Sequence, residues 1–371
     1  MARSHLVIGG GVVGRCIAYY LSKSGCDVLV VDGDPTGKKR CSEGNAGMVV
    51  PSHFTPLAAP GVIGQGLKWM LRKDSPFAIR PQLDPALWAW CRQFHRHCTT
   101  DHVQKSQELL RDLSLESRAC FDELARELDF EFTPNGLLML CQTERGLEEE
   151  IEVAAQANEL GVHAEVCDPA RLSELNPNVN LNAKGGIWFS QDGHLDPQQF
   201  QAALRRGIER NGGIFLDANI TDFRVRKHRV VAATSATGET FEFEDYTVAG
   251  GAWTPTLAKK LNLHLPMQAG KGYSFTLPQP VETPRVCALL KEGRVAITPM
   301  GNQLRVAGTM ELGSNDLRVN PDRLRGMIDS FCSVYTGFTP ADFEHHTPWA
   351  GLRPCSSDGL PFIGSVPDYE I

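Results

Sequence analysis

The chain has 371 residues, 42% hydrophobic and 22% charged, which is enough for two domains with cores of their own. A formal net charge of −7 argues against a nucleic-acid partner, which would call for a basic face. No apolar run reaches about 18 residues, so no membrane-spanning helix is expected.

The first strand is Leu6–Ile8. GGGVVG follows it, and then a helix to Ser24 with Val13, Ile17, Tyr20 and Leu21 on one face. Gly25 ends the helix, and DVLVVD is a second buried strand closing on Asp32. Gly9, Gly11 and Gly14 therefore spell GxGxxG between strand and helix, with an acid after the next strand. Gly9 permits the tight turn, Gly11 lets a pyrophosphate approach the backbone, and Gly14 lets helix pack on strand. The helix N-terminus, at Val12 and Val13, offers N–H groups and partial positive charge to phosphates. Asp32 suits ribose hydroxyls. This register predicts dinucleotide binding. The long polar, glycine-rich loop KKRCSEGNAGMVVPSHFTPLAAPG replaces the next helix-strand unit of a nicotinamide domain, which favours a flavin.

Further along, an amphipathic helix is predicted from near Asp101 to about Leu128, and two strands around the Pro-Asn-Gly turn of FEFTPNGLLMLCQT. A helix ended by Gly161 comes next, then a strand, a loop and a helix capped near Asp196. A strand pair is expected at 213–227 and 229–234, then a strand meeting small residues at AGGAW. Lys271 to Thr309 reads mostly as strands, and 321–334 as a helix. Early helix-strand units and a late antiparallel block predict a discontinuous two-domain α/β protein.

Cys91, His95, Cys98 and His102 fall at helical offsets, which invites a zinc site. Four ligands along one helix would span about 16 Å and cannot share one ion. No metal is expected. Eleven cysteines without a CxxC pair, behind an N-terminus that enters a strand at once, predict reduced thiols in a cytoplasm and no signal peptide.

The order of GGGVVG, SEGNAGMV, PLAAPG, AGGAW, LPMQAGKGYSFTLP, VAITP, LRVAGTMEL and WAGLRPCSSDGLPFIG resembles the FAD-dependent D-amino-acid oxidase and dehydrogenase superfamily, and within it the bacterial D-amino-acid dehydrogenases. The resemblance implies a Rossmann-like FAD-binding domain at 1–50, 145–265 and 340–371. It also implies an α+β substrate domain with a mostly antiparallel sheet at 51–144 and 266–339. By carry-over, Gly9, Gly11, Val12, Val13, Gly14 and Asp32 hold FAD, and Ser42, Asn45, Ala46 and Gly47 line the flavin. Ile220 resembles the strand that meets the adenine, and Ala249 and Gly250 the turn beside the cofactor.

In this superfamily the arginine of the GLRP motif pairs with the substrate carboxylate, a role that falls to Arg353, since a guanidinium matches a carboxylate with two parallel hydrogen bonds. The competing role is a tie to Asp358. Tyr273 either faces the same substrate or sits in the core. His53 stands where relatives carry an aromatic residue, and either reads a polar substrate or lies at a surface turn. Cys355 is offset from the cysteine that binds flavin covalently in sarcosine-oxidase relatives, so FAD is expected to be non-covalent.

The expected reaction is oxidation of a D-amino acid, or of a cyclic relative such as D-hydroxyproline or D-proline, by hydride transfer to FAD, with quinone or oxygen as acceptor. The resulting imine gives a 2-oxo acid where hydrolysis follows, and a cyclic imine is released intact. The alternatives are a glycine- or sarcosine-type amine oxidase and a flavin-binding subunit without turnover. Peripheral contact with the inner face of the plasma membrane is compatible with this reading. In relatives GLRPxxxDGxP leads into one more strand, a GHG turn and a helix. Here SVPDYEI stands in that place, so this chain is expected to be incomplete as a catalyst, with weak FAD retention, poor solubility, or the missing segment supplied by a longer natural product.

Overall fold

The computed structural model describes residues 3–34, 40–80, 83–313, 316–366 and 369. Lys38 and Lys39 of the predicted loop, and most of the final PDYEI, lie outside them.

A four-stranded sheet runs in the order Ile214–Asp217, Asp27–Asp32, Ser4–Ile8, Asp245–Val248. Every pair is parallel, which requires crossover connections. Helix Val12–Lys23 begins the first of them and packs beside helix Pro197–Arg210. The second helix starts where predicted: Asp196 accepts from the N–H groups of Gln198 and Gln199, and Pro197 fills its first position. Both faces of the two inner strands are covered, while the edge strand Ile214–Asp217 is largely exposed. Val7, Val28 and Val30 meet Ala18, Phe200 and Leu204 on one side, and Leu6, Ile8 and Val31 meet Ile220 and Leu257 on the other.

A second, nine-stranded sheet runs in the order Trp349–Ser356, Met267–Pro278, Gln303–Leu312, Ala296–Met300, Cys287–Leu290, Leu137–Cys141, Gly185–Phe189, Ala164–Cys167, with Phe77–Ile79 beside Gln303–Leu312. It is antiparallel except at Cys287–Leu290 with Leu137–Cys141 and at Phe77–Ile79. One face packs on helix Pro321–Val334, where Met327, Phe331 and Val334 meet Leu138, Leu290, Ile297 and Val306. The other face reads differently because side chains alternate along each strand. It carries Gly270, Gly272 and Ser274, with Ala307, Ala296 and Thr298 alongside. That face is lined with small residues.

Three sequence expectations change. Phe132–Thr133 and Leu137–Cys141 are strands, but of different sheets: the first pairs with Gly193–Leu195, which also pairs with Met48–Val49. Residues 213–227 are two strands, Ile214–Asp217 in the parallel sheet and Ile220–Arg226 in a small antiparallel one. Residues 164–189 and 349–356, assigned by sequence to the nucleotide-binding part, pair into the large sheet. Among the described residues no helix is long and apolar enough to cross a membrane.

Candidate functional site

At the carboxyl ends of the parallel strands the three motif glycines serve different needs. Gly9 has φ +117°, and a Cβ there would overlap the carbonyl oxygen of Ala249. A Cβ on Gly14 would overlap the oxygen of Gly9. Gly11 has no such constraint: its backbone is extended, and the nearest atom to an added Cβ is Ser42 Oγ at 3.4 Å. Protein packing explains glycine at 9 and 14, whereas at 11, among the described residues, an added side chain would enter open space that suits a ligand. That space lies at the helix N-terminus, where Val12 N–H donates to Ser42 Oγ at 3.0 Å and no side chain of Gly11 caps the end. Val13 in the first turn is 61% exposed. These residues fit the pyrophosphate of a dinucleotide.

Around this cradle, Ala249 N–H donates to Ile8 O at 2.8 Å, which brings Gly250 alongside, and Ile220 is buried beside Ile8 and Val31. Asp32 is more occupied than its sequence role requires. Its Oδ2 accepts from Gly10 N at 2.6 Å and Arg40 Nε at 3.0 Å, and its Oδ1 accepts from Asp34 N at 2.7 Å. Arg40 and the buried Arg15 escaped sequence reading. Arg15 donates to Gly10 O and Gln201 O, and burial presses its guanidinium down to about 10. Only its place directly after the glycine motif could have flagged it.

The NAG loop closes on itself and is then fastened to the large sheet. Asn45 Oδ1 accepts from Gly47 N at 2.7 Å, and its Nδ2 donates to Ser42 O at 3.2 Å. Gly47, at φ +68°, accepts from Leu195 N; Ala46 is half-buried between the two. Arg305, 4% exposed, donates to Asn45 O at 2.9 Å and Thr276 Oγ1 at 3.1 Å. Ser274 Oγ donates to Gly44 O at 2.8 Å, and Gly44 lies against the Trp349 ring.

Arg353 lies on the small-residue face. A Cβ on Gly272 would come 2.5 Å from its Nη2 and 2.7 Å from Cζ, so the guanidinium lies across that glycine. Its Nη1 donates to Thr309 O at 2.9 Å. Thr309 has φ +65° within a bulge where Lys271 pairs with Glu311 but Tyr273 with Gly308. The bulge turns that carbonyl toward the arginine. Among the described residues Arg353 has no carboxylate partner; Asp358 instead accepts from Leu360 N at 3.1 Å. The buried Thr298 Oγ1, Thr309 Oγ1 and Trp349 Nε1 likewise find no hydrogen-bond partner among the described residues. Buried polar atoms are normally paired, so these three suit a ligand with polar edges.

The other candidates divide. His53 keeps an exposed ring surface, and the protein atoms around it, helped by the charge of Arg294, hold its imidazole below the ordinary value. Tyr273 leaves the candidate site. It is 1% exposed on the opposite face from Arg353, its hydroxyl pairs with Glu311, and it accepts from Asn320 N at 3.0 Å. Cys355 is buried beneath Trp90, whose Nε1 donates to its carbonyl at 3.0 Å, and burial raises the thiol to about 11. Such a thiol is a poor nucleophile. Cys98 ends helix Pro85–His97, and Thr99 caps the next helix, so Cys91 and His102 sit on different helices. A recess of about 560 Å³ lined by Phe223, His228 and Lys260 lies apart from all of these residues.

Gly272→Ala is expected to push the guanidinium off Thr309 O and raise substrate half-saturation roughly tenfold, the worth of one charge-assisted hydrogen bond. Flavin content, measured alongside, separates loss of substrate contact from loss of cofactor. Titrating flavin reduction in the variant tests this.

Residues 5–370 match the family described as FAD dependent oxidoreductase. The chain belongs to that family. Among curated relatives of this FAD-dependent oxidoreductase, the D-amino acid dehydrogenase of Rhodopseudomonas palustris (strain HaA2) is 32% identical over 370 residues, covering 97% of this chain and 86% of that protein. That of Vibrio cholerae serotype O1 (strain M66-2) is also 32% identical, over 98% and 87%. In fold the chain is similar to glycine oxidase from Geobacillus kaustophilus, with a TM-score of 0.75 at 22% identity, covering 99% of this chain and 87% of that one. Iminodiacetate oxidase from Chelativorans sp. BNC1 gives 0.69 at 17%, over 98% and 87%.

Proposed function

We propose that this FAD-dependent oxidoreductase oxidises the CH–NH bond of a D-amino acid to the imine, which water converts to a 2-oxo acid. The observation that carries this reading is Arg353, a guanidinium held by a neutral carbonyl rather than by an acid. With Nη1 on Thr309 O, its remaining N–H groups, unpaired among the described residues, can take a carboxylate in a planar, two-point contact. The curated relatives named D-amino acid dehydrogenase supply the substrate class.

Bound non-covalently along the cradle from Gly11 to Gly47, FAD would supply the two-electron acceptor. The protein's share is orientation. Arg353 fixes the carboxylate, and the glycines and alanines of the sheet face leave room for a flat ring and a substrate beside it. Neutral His53 is available to an N–H of the substrate. An amino acid must shed its ammonium proton before its lone pair can assist loss of hydride. D-proline and D-hydroxyproline belong to the substrate range on this reading, with quinone or oxygen taking the electrons onward.

The test is anaerobic bleaching of the visible flavin absorbance by a panel of D- and L-amino acids, D-proline, D-hydroxyproline, glycine and sarcosine. D-amino acids are expected to bleach it fastest. Bleaching by glycine and sarcosine alone would move the assignment to small achiral amines, and bleaching by none would leave a flavin-binding protein without turnover.

A further inference from the structure

We infer that Asp192 and Ser52 form a positioning pair that fixes the His53 proton on Nδ1 and so presents Nε2 to the substrate amine as a hydrogen-bond acceptor. This rests on the D-amino-acid reading above.

Two distant segments meet here. Ser52 and His53 follow strand Met48–Val49, and Asp192 precedes strand Gly193–Leu195. Pairing of Met48 with His194 and of Val49 with Gly193 brings the two turns together. Asp192 is 0% exposed, and Ser52 fills both of its oxygens: N–H on Oδ1 at 3.0 Å and O–H on Oδ2 at 2.6 Å. A hydroxyl has one hydrogen and two lone pairs. Since its hydrogen is committed to Asp192, Ser52 Oγ can only accept across the 3.2 Å to His53 Nδ1. The ring proton therefore sits on Nδ1, and Nε2 keeps a lone pair. The serine acts as a one-way connector whose direction the carboxylate sets.

The direction is reversible. If Asp192 takes a proton, its own O–H can donate to Ser52 Oγ. The serine hydrogen then turns to Nδ1, the ring proton moves to Nε2, and the acceptor becomes a donor facing the substrate N–H groups. Burial raises the Asp192 carboxyl to about 7, against the two Ser52 bonds and the charge of Arg118, which lower it; Cys287 is the other titratable group facing it, and Arg294 faces His53. The acceptor form therefore holds above that value and is lost as pH falls through it. A merely structural turn would need an acceptor for Ser52 N–H, but not a buried carboxylate that, among the described residues, forms no ion pair.

Two measurements test this on the flavin-loaded protein. Nitrogen-15 NMR of histidine-labelled protein, with His53 assigned through His53→Gln, should show the Nδ1–H form at about pH 8, one unit above the Asp192 value, and a shift toward Nε2–H below it. In single-turnover flavin reduction, Asp192→Asn, whose amide imitates the protonated acid, should raise D-amino-acid half-saturation roughly tenfold at about pH 8 and flatten the pH profile near 7. Ser52→Ala should do the same, and Ser52→Thr should restore wild-type behaviour, all with unchanged flavin content. An Nε2–H ring in the wild type at that pH would overturn the inference. So would an unaltered profile in Ser52→Ala, which carries the test if Asp192→Asn fails to fold. If no D-amino acid bleaches the wild type, the substrate reading falls instead, and the NMR arm still decides the histidine.

Discussion

Purified Gly11→Val protein should carry almost no flavin while remaining folded. Valine accepts the extended backbone of this position, and its Cβ meets nothing of the protein closer than Ser42 Oγ at 3.4 Å. Its methyl groups reach into the space above the helix N-terminus, where a pyrophosphate would lie against the backbone. The apoprotein cost is that of a poor N-cap residue, about 1 kcal/mol. Flavin absorbance per protein and apoprotein melting separate the two effects. Wild-type flavin content would make the motif a structural turn only. A collapse in melting temperature would mean that Gly11, like Gly9 and Gly14, is held by packing.

Arg353→Lys should retain FAD but bind amino acids ten- to a hundredfold more weakly, about 1.5–3 kcal/mol for a lost charge-assisted contact. An ammonium can still reach Thr309 O or a carboxylate, but it cannot hold both in one plane. The loss should appear in half-saturation for flavin reduction. Substrates lacking a carboxylate, already poor, should lose little further. Wild-type half-saturation in the lysine variant would show that the substrate anchors elsewhere.

Much of this was legible in the sequence where the chemistry is local. GxGxxG, its flanking strands and Asp32 announce themselves by spacing, because turn, phosphate approach and helix packing all lie within one unit. Arg353 was visible as a lone cation among apolar and turn residues. What escaped depends on strand parity and remote pairing. Tyr273 sits one residue from Gly272, and in a strand one residue exchanges the site face for the opposite one. Arg305 reads as an ordinary strand arginine until the register places it under the NAG loop. Phe132–Thr133 and Leu137–Cys141 look like a hairpin because strand propensity is local while sheet partners are not. Asp192 reached its role only through the pairing of Met48 with His194.

The placement of Ile214–Asp217 and Asp245–Val248 on either side of the first two strands has a consequence for biosynthesis. Strands Ser4–Ile8 and Asp27–Asp32 leave the ribosome about two hundred residues ahead of both outer neighbours and of the Ala249 carbonyl that lies against Gly9. At translation rates of roughly 5–20 residues per second, that interval is on the order of 10–40 s. Through it the apolar β-ribbon must wait with both edges open, a state prone to pairing with the wrong strand. Flavin cannot act as a template for the nascent chain before its cradle is closed. Cofactor supply should therefore govern how much finished protein survives, and leave the rate at which the early strands find each other untouched.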